Sequence, residues 1–348
     1  MSTTLAQYPT PAASPIFSRP DTVRSTVADF RLHVCSVVFN PQRFRTRWKL
    51  YERFAKWITS SGAQLYTVEA AFGNRGFVVT DPQNPHHVQV RIRDEMFVKE
   101  NLLNLGFQRM PETAKYLAWV DADISAARPD WADEIVQTLQ HHAVVQPWTH
   151  AFDLGPNHEP IESHNSFAWQ WAQVRHIKPA KYGGKWHPGL AFAFRREVLE
   201  ELGGLLDVCI TGGGDWLMAW AMLGEVEQHT WKDWSPGFRS ALAEFQKRAL
   251  RVIKKDIGYV DGTIFHHWHG PKKARQYDTR ERILVDYQFD PAKDLLRHVD
   301  GGLGLVDDGS ERIRLMKEAL RRLGKARNED STDNPGDEAQ AFTIASSN

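Results

Sequence analysis

The stretch KYLAWVDADI, residues 115–124, runs an apolar segment (116–120) straight into two carboxylates, Asp121 and Asp123, one residue apart. A buried strand gains nothing from ending in two like charges, which repel one another and resist desolvation. Either the strand reaches solvent at that point, or a metal ion or a substrate sits at its carboxyl end. In the second case one carboxylate ligates a divalent cation, and the other meets a sugar hydroxyl or a metal-bound water. Mg²⁺ or Mn²⁺ held by one or two carboxylates plus substrate phosphates is the usual arrangement for phosphate-bearing ligands.

The flanking sequence decides which fold carries this strand. RLHVCSVVFN (31–40) is a short, β-branched apolar run and reads as a buried strand. It leads into RFRTRWKLYERFAKWITSSG (43–62), where Phe44, Trp48, Tyr51, Phe54 and Ile58 recur at helical spacing and Gly62 closes the helix. QLYTVEAAF (64–72) and HVQVRI (87–92) read as strands, EMFVKENLLNLGF (95–107) as a helix. After the 116–120 strand come a helix in PDWADEIVQTLQHH (129–142) and a strand in AVVQPW (143–148). Repeated β-α-β units of this length predict an α/β fold: a mostly parallel central sheet with helices on both faces. Ligands bind such sheets beyond the carboxyl ends of the strands. Asn40, Glu69 and the Asp121/Asp123 pair all fall at such ends.

The 348 residues are 42% hydrophobic and carry 43 acids against 43 Lys and Arg, enough apolar material for a large core. Zero formal net charge argues against wholesale electrostatic binding of nucleic acid. Cys35 and Cys209 sit in apolar runs and read as buried thiols, with no disulfide framework. No run approaches membrane-spanning length and the N-terminus lacks a signal-peptide core, so a soluble cytoplasmic protein is expected. Thirteen tryptophans favour a ligand with a face to stack on, a sugar ring or a base. The organisation expected is a flexible arm at 1–29, one catalytic domain at 30–300, a C-terminal helix at 301–324 and a disordered tail at 325–348.

Two further clusters carry chemistry. TIFHHWHGPKKARQYDTRERIL (263–284) places His266, His267 and His269 within four positions. In a tight turn His266 and His269 share a face, and nitrogen beside carboxylate donors suits Mn²⁺ or Zn²⁺. Lys272, Lys273, Arg275 and Arg280 follow as a cationic loop able to hold a diphosphate. In CITGGGDWLMAWAM (209–222), Gly212, Gly213 and Gly214 open the backbone to a ligand, and a helix begins directly after Asp215. Asp215 is then either a helix N-cap or a general base for an attacking hydroxyl. Upstream, Trp186 and His187 precede Pro188-Gly189 and an apolar strand, with Gly183-Gly184 as a hinge. This loop reads as a lid or stacking surface, or as a hydrophobic plug.

Together these segments resemble a GT-A fold, nucleotide-sugar-dependent glycosyltransferase of the galactosyltransferase-like group, over about three quarters of the chain. VKENLLNLGFQRMPETAKYLAWVDADI (98–124) is similar to the family's stretch in which a basic residue and LLN-G lead by a helix into the D-x-D strand. WHPGLAFAFRREVLEELGGLLDVCITGGGDW (186–216) resembles its glycine-aromatic segment and acceptor loop. HHWHG (266–270) resembles the late histidine of its metal site, and the same string looks like that of uncharacterised bacterial and phage glycosyltransferases. The resemblance implies that Asp121 touches the ribose or the metal shell and that Asp123 ligates the metal. It makes His269 the late ligand, His266 an additional one and Asp215 the base. Glu69 would bind uracil or ribose. Asn40, Lys99, Lys272 and Arg275 would join the donor site, while Trp186, His187, Gly213, Gly214 and Trp216 would form the acceptor site and lid. The implied donor is a UDP-sugar with Mn²⁺ or Mg²⁺, and the implied outcome is inversion at the anomeric carbon. The family's acceptor loop carries two or three consecutive acids. Here Asp215 stands alone before Trp216, which leaves the acceptor open: glycan, small molecule or DNA.

Three rival readings follow from the sequence. The basic amphipathic segment FRSALAEFQKRALRVIKKD (238–256), with Arg239, Lys247, Arg248, Arg251, Lys254 and Lys255, fits either a nucleic-acid face for glycosylating hydroxymethylated DNA bases or a solvated helix. A non-catalytic sugar-binding protein on a transferase scaffold is the second. A nucleotidyltransferase, the third, would want a glycine- and lysine-rich phosphate loop after the first strand, and FNPQRFRTR (39–47) is not one.

Overall fold

The computed structural model describes residues 27–177, 186–277 and 279–327. Most of the expected arm and tail, and the Gly183-Gly184 hinge, lie outside those residues. Seven strands form the central sheet in the order Ile257–Tyr259, Val144–Gln146, Ala191–Arg195, Ala114–Val120, Asp29–Phe39, Gln64–Phe72, His87–Ile92. Neighbours pair in parallel except where Ala191–Arg195 runs antiparallel to both its partners. The fold is therefore the expected mixed α/β one, with a mostly parallel sheet.

Alternation along the strands divides the core in two. In Ala114–Val120, Leu117 and Trp119 join a core that also takes Leu102, Leu103 and Phe107 from the helix Lys99–Arg109 and Leu217 from the helix Gly214–Leu223. Tyr116, Ala118 and Val120 join the opposite core, with Tyr51, Phe54 and Ile58 of the helix Arg45–Ser60 and Trp131, Ile135 and Leu139 of the helix Trp131–Leu139. Cys35 and Cys209 are both buried and free, as the sequence predicts.

A second sheet of five short strands, not expected from the sequence, sits at the carboxyl end of the first. Its order is Ile124–Ala126, Thr263–His266, His150–Leu154, Pro160–Ser166, Trp186–His187. The register sets His266 opposite Ile124 on one side and opposite Asp153 on the other. Two backbone ladders thus carry the D-x-D segment and the histidine string, 143 positions apart from Asp123 to His266, to one place.

The C-terminal segment differs from expectation. Residues 301–310 are not helical: Leu303–Leu305 pairs with Leu295–Arg297, and the helix runs Glu311–Ala326. Glycines at 301, 302 and 304 disfavour a helix there, and the Ser310 hydroxyl starts one by accepting from Ile313 N. Of the 238–256 segment, residues 238–252 lie in the helix Pro236–Val252, which buries Phe238, Leu242, Phe245 and Ala249, and Lys254 and Lys255 lie beyond its end. Among the described residues no helix is long and apolar enough to cross a membrane.

Candidate active site

A cleft of about 790 Å³ opens where the central strands end and the second sheet begins. On one wall Asp123, His266 and His269 bring their donor atoms within 4.8 Å of one another. His269 Nε2 lies 3.1 Å from Asp123 Oδ2, His266 Nε2 lies 3.8 Å from the same oxygen, and the two Nε2 atoms are 3.2 Å apart. The other Asp123 oxygen is buried without a hydrogen-bond partner. Burial favours a neutral His266, but Asp123 and Asp153 outweigh it and hold the imidazole up to about 9. Such a point retains a proton because it is rich in negative charge, and a divalent cation fits the same demand. One carboxylate with an unpartnered buried oxygen, beside two imidazoles, is a donor set suited to Mn²⁺.

Asp121 reaches the cleft but does not join this group. Both its oxygens face the Lys99 ammonium, at 3.0 and 3.3 Å. Burial raises the Asp121 carboxyl, with Lys99 opposing and Asp123 adding to the rise. Lys99, which opens the helix after Val98, stays protonated because Asp121, Asp215 and Glu100 outweigh its burial. Glu100, absent from the sequence expectations, is buried with Oε1 unpartnered, and burial pushes its carboxyl up to about 7.

Asp215 is not the N-cap: Gly213 occupies that place, and Asp215 Oδ1 accepts from the adjoining Trp216 N at 2.8 Å. The glycine run has steric causes. Gly213 adopts φ +83°, and a Cβ on Gly214 would lie 2.6 Å from Glu100 Oε1. Asp215 Oδ2 and the His187 ring crowd the Cα of Gly189, where a side chain has no room. His187 Nδ1 accepts from Gly189 N at 2.9 Å, and burial drives this imidazole down to about 4 against the pull of Asp215. It is a neutral ring with its proton on Nε2. Trp216, next to Asp215 in the chain, stacks face to face with Trp186, and Trp220 meets both edge-on.

The third wall is cationic. Arg275 donates to Tyr277 Oη at 3.1 Å and approaches His269 Nε2 at 2.9 Å. Arg280 lies over the Tyr277 ring, its Nε buried and unpartnered, and its guanidinium lies against Gly212 and Gly213. Arg47 and Arg327, from opposite ends of the chain, line the same wall and were not expected there. Burial and the neighbouring arginines depress the Arg327 guanidinium to about 10. Lys272 also faces the cleft, paired with Asp153 and Glu162.

The structure does not bring two expected donor-site residues into the cleft. Asn40 spends its amide on Phe44, accepting from N and donating to O at 2.9 Å each. Glu69 accepts from Val78 N, Val79 N, Thr80 N and Thr80 Oγ1, so its carboxylate ties down the loop at 78–80. Both line a small side pocket. A strand end satisfies a carboxylate equally well through a loop's N–H groups or a ligand, and sequence position alone does not separate the two. His267 turns away, toward Ser125 Oγ at 3.0 Å. Asp153 and His164 gave no signal in the sequence, because they lie on strands too short and polar to stand out.

No family model and no curated protein matches the sequence. Solved structures do. The catalytic domain of Drosophila β1,4-galactosyltransferase 7 in complex with xylobiose is similar over 80% of this chain and 95% of its own, at 14% identity and a TM-score of 0.36. A variant of that enzyme with manganese, UDP-Gal and xylobiose gives a TM-score of 0.35. The 4-diphosphocytidyl-2C-methyl-D-erythritol synthase of Anaerococcus prevotii covers 67% of this chain and 90% of its own at 11% identity, TM-score 0.31. A putative nucleotide-diphospho-sugar transferase from Desulfovibrio desulfuricans covers 84% and 97% at 11%, TM-score 0.28. At such values the functional reading rests on the cleft itself.

Proposed function

We propose that the protein is a metal-dependent glycosyltransferase, moving a sugar from a UDP-sugar to an acceptor hydroxyl with inversion. The observation that carries the reading is one cleft with three differently charged walls: the Asp123–His266–His269 group, a guanidinium wall, and Asp215 with the stacked Trp186 and Trp216. A diphosphate carries the charge that the first two walls would neutralise together.

In this reading Asp123, His266 and His269 hold Mn²⁺, or Mg²⁺ in its place, and the ion supplies charge neutralisation for the departing diphosphate. Arg275 and Arg280 bind the phosphate oxygens, while Lys272, engaged with Asp153 and Glu162, braces the wall beside them. Asp121, held in place by Lys99, accepts a hydrogen bond from a ribose or sugar hydroxyl. Trp186 and Trp216 present an aromatic surface to the acceptor and keep water from the anomeric carbon. Asp215 takes the proton of the acceptor hydroxyl as its oxygen bonds to the anomeric carbon and the bond to the diphosphate breaks. Attack opposite the leaving group inverts the centre.

A hydroxymethylated DNA base as acceptor has less support. The helix Pro236–Val252 packs through its apolar side, and Arg248 is spent on Leu202 O at 2.9 Å. A thermal-shift panel of nucleotide sugars with and without Mn²⁺ tests the donor class. Stabilisation by UDP-sugars that requires Mn²⁺ is expected. Equal response to all nucleotides, or none to any, contradicts the reading.

A further inference from the structure

Asp153 touches three cationic or protonatable groups at once. It lies on the strand His150–Leu154, in register with His266, and is 5% exposed. Oδ1 is 2.6 Å from His266 Nδ1, and Oδ2 is 2.7 Å from His164 Nε2 and in contact with the Lys272 ammonium. Asp153, Glu162 and His164 form a second group with metal-like donors. The Lys272 ammonium already lies among them, 2.5 Å from Glu162 Oε2 and 3.3 Å from His164 Nε2. That group is answered by a cation of the protein's own. Its effect is to hold Asp153 ionised and fixed while the other oxygen remains turned to His266.

We propose that Asp153 is the positioning residue of the metal group: it accepts the Nδ1–H of His266 and so fixes the ring with its Nε2 lone pair toward Asp123 and His269. The inference rests on the reading of Asp123, His266 and His269 as metal ligands. A neutral imidazole carries one N–H, and a carboxylate at Nδ1 selects which nitrogen bears it. Carboxylate partners of this kind orient ligating histidines and raise their basicity, and their loss weakens metal binding. Without Asp153 the ring is free to turn and to adopt the other tautomer, and both changes remove a lone pair from the group.

The test is Mn²⁺ affinity of the full chain, read from the electron-spin-resonance signal of free Mn²⁺, with the melting temperature of each metal-free protein recorded alongside. Asp153→Asn keeps the volume and should weaken Mn²⁺ binding about 10–100-fold. In a His266→Ala background the same change should have no further effect, which a merely structural role would not predict. Wild-type-like Mn²⁺ affinity in Asp153→Asn overturns the proposal and leaves the metal reading standing. Failure of the wild type itself to bind Mn²⁺ removes the metal reading and the proposal with it. If Asp153→Asn does not fold, long-range ¹H–¹⁵N spectra of the wild type with Zn²⁺ decide: a protonated Nδ1 and a metal-bound Nε2 on His266 support the proposal, and the reverse pattern overturns it.

Discussion

Trp186 and Trp216 lie face to face, their ring centroids 4.9 Å apart and their planes 1° from parallel. One belongs to the two-residue strand Trp186–His187, the other to the first turn of the helix that carries Asp215. The stack therefore ties the Trp186–His187 strand to the helix of the candidate base. Trp216→Ala should weaken acceptor use, raising its KM several-fold, since such a pair contributes about 1 kcal/mol beyond area burial. Slow hydrolysis of the donor should persist. Kinetics at varied acceptor concentration check this, and an unchanged KM removes the stack from the acceptor site.

Asp215→Asn keeps the size of the side chain and an oxygen for Trp216 N while removing the basic carboxylate. Transfer should fall by about 10²–10⁴. Donor affinity, measured by calorimetry, should stay within about twofold, because the residues proposed to bind phosphate lie on a different wall. Turnover close to wild type would leave Asp215 with a structural role only.

Gly214 makes room for Glu100, so Gly214→Ala should destabilise the fold by about 1–3 kcal/mol, as overpacking does. Combining it with Glu100→Ala should recover part of that loss. Urea denaturation of the two single variants and the double variant measures the coupling. Strict additivity would show that the contact is relieved without cost.

Glu100 also sets a pH dependence. Its carboxyl is raised from an ordinary value of 4.5 to about 7 by burial, with Lys99 opposing and Asp215 contributing. The folded state binds this proton more tightly than the unfolded one. Its contribution to stability is complete below 4.5 and is lost as pH rises through about 7. Glu100→Gln should flatten the fall in stability across that window and leave the variant more stable than wild type at pH 8. Denaturation curves between pH 4 and 8 give the answer, and parallel curves would remove Glu100 as the titrating group.

The central sheet was legible because its strands are short apolar runs between amphipathic helices, and Asp121 and Asp123 were legible because charge ends such a run. The approach of Asp123 to His266 and His269 is the one the sequence reading expects, whereas the pairing of Lys99 with Asp121 is visible only in the structure. What escaped it belongs to the second sheet and to long-range assembly. Asp153 lies in HAFDL, a five-residue strand without a distinct period, and becomes recognisable only through its register with His266. Arg47 and Arg327 come from opposite ends of the chain, and no local pattern joins them. Glu69 was legible as a strand-end acid, but its four hydrogen bonds to residues 78–80 depend on how that loop folds back.

The central claim is that the cleft binds a nucleoside diphosphate through a divalent cation held by Asp123. Calorimetric titration of UDP into the protein, in Mn²⁺ and then in EDTA, tests it most directly, with Asp123→Ala run in parallel. Wild type should bind UDP at least about tenfold more tightly in Mn²⁺ than in EDTA, a difference of about 1.4 kcal/mol. The variant should bind equally weakly in both. Equal UDP affinity in Mn²⁺ and EDTA for the wild type, or full Mn²⁺ dependence in Asp123→Ala, would contradict the account.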